Sequence, residues 1–267
     1  MSNHLNDKYK DLDLIANNYS ENYINANPFP HVIFDNFFNE NLLNKIINEY
    51  PSNLDKIGYY ANHPAEQKYA LYDSNKFSNN TNELINFLNS GKFIKFLNKI
   101  TNIETNLIPD PYCWGGGLHE LKDKGYLNIH CDFNKHPLMK LDRRINMLIF
   151  LNHNWKESYG GSLELWDKEM KKCVQKIIPV FNRVVIFNTT DFSFHGNPEP
   201  IKSPDKKTTR KSIALYYYSN GRPAQEVSLK DHTTTFKARP ASKDSEMITY
   251  YKKLFWKFYL KKKGFFK

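Results

Sequence analysis

The chain has 267 residues, 40% hydrophobic and 15% aromatic, which suffices for one large domain with appendages. Its formal net charge of +10 would suit nucleic acid, an anionic membrane surface or acidic small molecules. No zinc-finger spacing or RNP-like motif supports nucleic acid, and three scattered cysteines (Cys113, Cys131, Cys173) argue against a disulfide framework or a structural zinc.

The N-terminus has no apolar leader segment, and no apolar run reaches the roughly 18 residues of a membrane span, so a soluble cytoplasmic protein is expected. Residues 1–27 are polar, rich in Asn, and expected to be loose or weakly helical. Residues 28–107 read as a helical support region with a leading strand. Pro28 and Pro30 introduce the short apolar strand around His31–Phe34. Leu42, Leu43, Ile46 and Ile47 then follow helical spacing behind Asn39, a good N-cap. Residues 51–80 look irregular, with a strand-like piece around Tyr69–Tyr72. Leu84, Ile85, Leu88, Phe93, Phe96, Leu97 and Ile100 predict a second helical stretch, split at Gly91. These helices are expected to pack as a layer against a sheet.

From residue 108 the texture changes to short apolar or alternating runs separated by Gly, Pro, Asn and Asp. Strands are predicted over 117–121, 126–130, 144–151, 162–166, 184–187 and 212–218, a pattern suited to a sandwich or jelly roll. The expected class is therefore mainly β with flanking helices (α+β), with the core over 108–222. Residues 223–267 form a connector and a basic helix. Met247, Tyr251, Leu254, Phe255 and Phe258 make its apolar stripe, and residues 243–267 hold eight Lys against Asp244 and Glu246. This helix is expected to dock on the β-domain, with weak membrane-surface contact as the alternative.

Within the predicted strand 126–130, His130 is followed two residues later by Asp132. Strand side chains alternate, so this imidazole and this carboxylate face the same way. Two histidines and one carboxylate with open positions favour non-haem Fe(II) chemistry. The third-ligand candidate is His195, 63 residues beyond Asp132, a separation that suits opposed strands meeting across a jelly-roll mouth. His136 and His153 sit in loops and are expected to be solvated. His31, His63 and His232 have no acidic partner in register. His119 lies on a strand near the proposed site. Arg210 opens the last strand and shares a face with Ser212 and Ala214; its planar guanidinium suits a carboxylate.

In combination, His-x-Asp, a distal His and Arg-x-Ser resemble the Fe(II)/2-oxoglutarate dioxygenases of the prolyl 4-hydroxylase-like group. Arg143–Asn152, Trp155 and Gly160-Gly161-Ser162-Leu163 resemble that group's Arg…Tyr-Leu-Asn…Trp…Gly-Gly-x-Leu segment. The resemblance spans roughly residues 28–222. It implies a double-stranded β-helix of the jelly-roll or cupin kind, with His130, Asp132 and His195 on Fe(II). It also implies Arg210 on the distal carboxylate of 2-oxoglutarate, O2 as co-substrate, and ascorbate as a candidate reductant. The implied activity is hydroxylation of an unactivated C–H bond, prolyl or other, in a peptidyl or small-molecule substrate, with succinate and CO2 as co-products.

Two departures stand out. Phe150 occupies a position where the group often has Tyr, and the longer gap from His195 to Arg210 implies a loop insertion over 198–207. Asn146 shares a face with Phe150 and is a candidate co-substrate contact, with His119 and Tyr126 as further candidates. Trp166 and the 198–207 loop are candidate mouth residues. Asp132 favours hydroxylation, since related halogenases lack the carboxylate. The competing reading is a non-catalytic jelly-roll module binding carbohydrate or nucleotide sugar.

Overall fold

In the computed structural model, which describes residues 4–226, 228, 230–244, 246 and 249, the chain builds one curled antiparallel sheet with helices along one face. Its strands are β1 (His31–Asp35), β2 (Tyr59–His63), β3 (Glu66–Leu71), β4 (Ile108–Pro109), β5 (Gly117–Leu121), β6 (Tyr126–Cys131) and β7 (Asp142–Phe150). They continue as β8 (Leu163–Trp166), β9 (Cys173–Ile177), β10 (Arg183–Asn188), β11 (His195–Asn197), β12 (Arg210–Ser219) and β13 (Thr235–Phe236). The order across the sheet is β1-β10-β7-β12-β5-β3-β6-β11-β8-β9, with β2 on β3, β4 on β12 and β13 on β6. The two halves fold over one another around a cavity, as a double-stranded β-helix.

Alternation explains the two faces. On β7 and β12, Ile145, Met147, Ile149, Ile213, Leu215 and Tyr217 enter the main core under the helices. Arg210, Ser212, Tyr216, Asn146 and Leu148 face the cavity from the same two strands. The helices are α1 (Leu12–Ile24), α2 (Glu40–Asn48), α3 (Leu54–Ile57), α4 (Asn79–Leu88) and α5 (Gly91–Thr101). Side chains of Asp11, Asn39, Ser78 and Ser90 cap α1, α2, α4 and α5 by accepting backbone N–H bonds. The α4–α5 break falls at Asn89 and Ser90, with Gly91 the first residue of α5.

The sequence reading differs from the structure in three places. The segment expected to be loose or weakly helical holds a well-packed helix: α1 buries Leu12, Ile15, Ala16 and Tyr23, and its polar residues form the outer surface. The irregular stretch 51–80 contains the β2–β3 hairpin, and β3 is inserted between β5 and β6. The leading strand β1 pairs β10 at the sheet edge. The division at residues 107/108 is therefore one of sequence texture; the sheet crosses it. The expected basic helix over 243–267, with its docking or membrane contact, lies almost entirely outside the described residues. Among the described residues, no helix is long and apolar enough to cross a membrane.

Candidate active site

β6 and β11 lie side by side with His130 directly opposite His195. Asp132 follows just beyond the end of β6. One ligating atom from each of these three side chains falls within 4.8 Å of the others. The Nε2 atoms of His130 and His195 lie 3.6 Å and 3.4 Å from the Asp132 carboxylate oxygens. Each Nδ1 lies 2.8 Å from a backbone carbonyl, that of Asn128 for His130 and that of Ser193 for His195. A carbonyl can only accept, so Nδ1 carries a proton, and Nε2 is the ring atom turned toward the carboxylate. Ligating imidazoles are commonly held in this way.

The protonation states agree with a metal-binding set. Burial, opposed by Asp132, lowers the His195 pKa to about 4. Burial alone would raise the Asp132 pKa, but the adjacent Arg143 charge leads the influences that outweigh it, and the carboxyl is held well below its usual range. At neutral pH the site offers a neutral His195 and a carboxylate. The donor set of two nitrogens and one oxygen, all from buried or nearly buried groups, fits Fe(II).

Asp132 is clamped from behind. The Asn146 amide donates to Asp132 Oδ2 at 2.7 Å, and Arg143 Nη2 lies 3.2 Å from the same oxygen. Arg143 also donates twice to Asn146 Oδ1, at 3.0 and 2.7 Å. Its guanidinium lies against the rings of Tyr216 and Phe133 at 3.5 and 4.4 Å. A register shift between Tyr217 and Tyr218 against β7 lets Arg143 and Asn146, three residues apart, both line the cavity. Asn146 was expected as a co-substrate contact. Its side-chain bonds go to Asp132 and Arg143, so it is held against the carboxylate.

The cavity has a volume of about 450 Å3. Asp132, Asn146, Tyr216 and Trp114 mark one end, and Arg210, Leu121 and Leu163 the other. Arg210 is 4% exposed. Its Nε donates to the Gly161 carbonyl at 2.8 Å, and its guanidinium lies 4.9 Å from the Phe150 ring. It has no ion pair among the described residues, and burial alone lowers its pKa to about 10. The cavity's other acid, Glu66, is committed to Lys68 at 2.8 Å and His63 at 3.4 Å. A buried cation facing a cavity without a counter-ion fits an anionic ligand. The donor set at one end and this guanidinium at the other fit a metal-chelating dicarboxylate such as 2-oxoglutarate.

Residues 116–218 match the family model described as the 2OG-Fe(II) oxygenase superfamily. The match spans less than half of the chain and takes in His130, Asp132, His195 and Arg210. A stretch of 80 residues, 28% of the chain, is 32% identical to prolyl 3-hydroxylase OGFOD1 of Mus musculus and spans 14% of that protein. The fold is similar to a Trichoplax adhaerens prolyl hydroxylase, solved in complex with a hypoxia-inducible-factor peptide fragment. That match has a TM-score of 0.59 at 17% identity over 83% of this chain and 96% of the other. A Pseudomonas putida prolyl-4-hydroxylase matches with a TM-score of 0.57 at 10% identity, over 77% and 100% of the two chains.

The other expected site residues fall as follows. His119 lines the cavity beside Ser212, with Nε2 3.1 Å from the Gly115 carbonyl; burial lowers its pKa to about 3. Phe150 lies in a small core cluster under Arg210. Tyr126 does not line the cavity, and its hydroxyl donates to the Pro64 carbonyl at 3.2 Å. The reason is a bulge: His195 pairs His130 but Asn197 pairs Leu127, so an extra β6 residue reverses the alternation. Leu127 and His130 both face inward, and Tyr126 turns away.

Trp166 was expected at the mouth. Its indole instead donates to Glu164 at 2.9 Å, and its ring packs with Ile129, Cys131 and Phe194. Residues 198–207 do not line the cavity either. Tyr59, Lys68, Tyr72 and Trp114 do, the first three from the β2–β3 hairpin and its exit. The alternating Tyr59-Tyr60-Ala61 and Tyr69-Ala70-Leu71-Tyr72 runs were the signal that could have found them. His136 is not solvated: it is fully buried, 3.4 Å from Asp110. His232 does have an acidic partner, Asp191 at 3.0 Å, and His63 has Glu66.

Proposed function

We propose that the chain is an Fe(II)- and 2-oxoglutarate-dependent oxygenase that hydroxylates an unactivated C–H bond, releasing succinate and CO2. The observation that carries this reading is a buried Arg210, without an ion pair among the described residues, sharing one cavity with the convergent His130, Asp132 and His195. In this reading the three side chains hold Fe(II) through two Nε2 atoms and one carboxylate oxygen. Bound there, Fe(II) with 2-oxoglutarate and O2 supplies the oxidising equivalents for C–H hydroxylation.

The protein's own residues do the positioning. Backbone carbonyls of Asn128 and Ser193 lock the imidazole tautomers, and Asn146 with Arg143 fixes the carboxylate. Arg210 anchors the distal carboxylate of the co-substrate, while Phe150 supports the guanidinium from below and contributes no hydroxyl. The resemblance implies hydroxylation here, since related halogenases lack the carboxylate that Asp132 supplies. A module that only binds carbohydrate has no use for an unpaired guanidinium opposite three metal-type donors.

A prolyl peptide is the first substrate to try, because the Mus musculus relative is named a prolyl 3-hydroxylase and the Trichoplax adhaerens structure holds a peptide. The deciding measurement is succinate formation from 2-oxoglutarate by iron-loaded protein with ascorbate, with and without candidate peptides. Turnover should be abolished in His130→Ala and Asp132→Ala. A wild type that takes up neither iron nor 2-oxoglutarate would return the chain to the binding-module reading.

A further inference from the structure

Asn197 lies two residues after His195 on β11, so the two side chains share a face. It is 4% exposed and lines the cavity. Its Nδ2 is buried and has no hydrogen-bond partner among the described residues. A buried amide donor left unsatisfied costs roughly 1–3 kcal/mol, so its retention on a cavity wall calls for a partner that enters the cavity.

The strand registers say where that partner lies. His195 is opposite Leu165 and Gly196 opposite Glu164 on β8. Continuing the register places Asn197 beside Leu163. Gly161, one pleat further along, is the residue whose carbonyl holds Arg210. Asn197 is thus displaced from the triad toward the guanidinium. It reaches the cavity from β11, whereas Arg210 reaches it from β12 on the opposing half of the sheet.

We propose that Asn197 is a co-substrate-positioning residue, its amide donating to the distal carboxylate of 2-oxoglutarate from the wall opposite Arg210. This rests on the co-substrate reading above. One carboxylate oxygen is then taken by the guanidinium and the other by a neutral donor. That neutral donor stands in for the hydroxyl that Phe150 cannot offer. Asn197 thereby selects for 2-oxo acids that carry the second carboxylate.

The test is equilibrium binding to Fe(II)-loaded protein under anaerobic conditions, using 2-oxoglutarate and 2-oxobutyrate, which keeps the keto-acid end and lacks the distal carboxylate. Asn197→Leu, close in size and unable to donate, should raise the Kd for 2-oxoglutarate about tenfold or more. It should leave the Kd for 2-oxobutyrate and for Fe(II) unchanged. The Tm of the metal-free variant should equal or exceed that of the wild type, because an orphaned amide has been removed. Asn197→Asp, of the same shape, should weaken 2-oxoglutarate further through like-charge repulsion, and it serves if the leucine variant does not fold. Unchanged 2-oxoglutarate affinity in a folded variant, or an equal loss for both ligands, overturns the assignment while leaving the oxygenase reading intact. A wild type that binds Fe(II) and no 2-oxoglutarate overturns the oxygenase reading and Asn197's role with it.

Discussion

Arg210 and His119 face the same cavity, and burial lowers the pKa of both, leaving the guanidinium charged and the imidazole neutral at pH 7. Arg210 keeps its charge against a depressed pKa of about 10 and has no counter-ion among the described residues. Its cost to the fold and its proposed use to the co-substrate have the same origin. Arg210→Met should raise the stability of the metal-free protein by about 1–2 kcal/mol, since an uncompensated buried charge is removed. The same variant should lose the stabilisation that added 2-oxoglutarate gives the wild type, and thermal unfolding with and without ligand checks both signs. His119 is driven to about 3 from an ordinary 6.5, chiefly by burial. The unfolded chain therefore takes up a proton near pH 6.5 that the folded chain refuses until about pH 3. Stability from this group is intact above pH 6.5 and is lost as pH falls through that window, by about 1.4 kcal/mol per pH unit. Urea titrations of wild type and His119→Gln at several pH values should show the wild type losing ground to the variant as the solution is acidified. His130 and Asp132 were legible from the sequence because two-residue alternation is a local property. His136 was not, because its burial depends on Asp110, which precedes it by two strands.

The pair of strands that carries the ligands depends on how closely β6 and β11 approach. A Cβ at Gly196 would stand 2.8 Å from the carbonyl oxygens of both Leu127 and Asn128. Only a residue without a side chain lets β11 lie flat on β6 at that point and keep His195 opposite His130. Gly196→Ala should therefore cost about 1–3 kcal/mol of stability. It should also weaken Fe(II) binding by more than it weakens the fold, measured as metal affinity beside Tm. Normal iron affinity in this variant would mean that the two strands tolerate the wider spacing. The β6 bulge is the element-level feature that the sequence concealed. Nothing in Tyr126-Leu127-Asn128-Ile129-His130 marks an extra residue, since a bulge is defined by the partner strand. That is why the alternation rule placed Tyr126 in the cavity and left Leu127 out of it.

The whole molecule is tied together across the boundaries that composition suggests. Tyr23 of α1 donates its hydroxyl to Asn188 at the end of β10 at 2.7 Å, and Leu12, Ile15 and Ala16 join the main core. Burying a side chain such as Leu12 or Ile15 is worth about 1.5–3 kcal/mol. Residues 28–267 alone should be less stable than the full chain by at least about 3 kcal/mol in urea unfolding; equal stability would return α1 to the status of a loose tail. The sequence by itself determined the strand-rich core, the helical layer, and the residue types of a two-histidine, one-carboxylate centre with a cation for a dicarboxylate. Those follow from periodicity, from the geometry of neighbouring strand residues, and from a motif set held in one order along the chain. Only the tertiary structure decided that β3 enters the sheet between β5 and β6, that the hairpin aromatics line the cavity, and that the Asn197 Nδ2 has no hydrogen-bond partner among the described residues. Each of these depends on pairings between segments tens of residues apart, and the free energy of such pairings is set by register and burial, which no local pattern encodes.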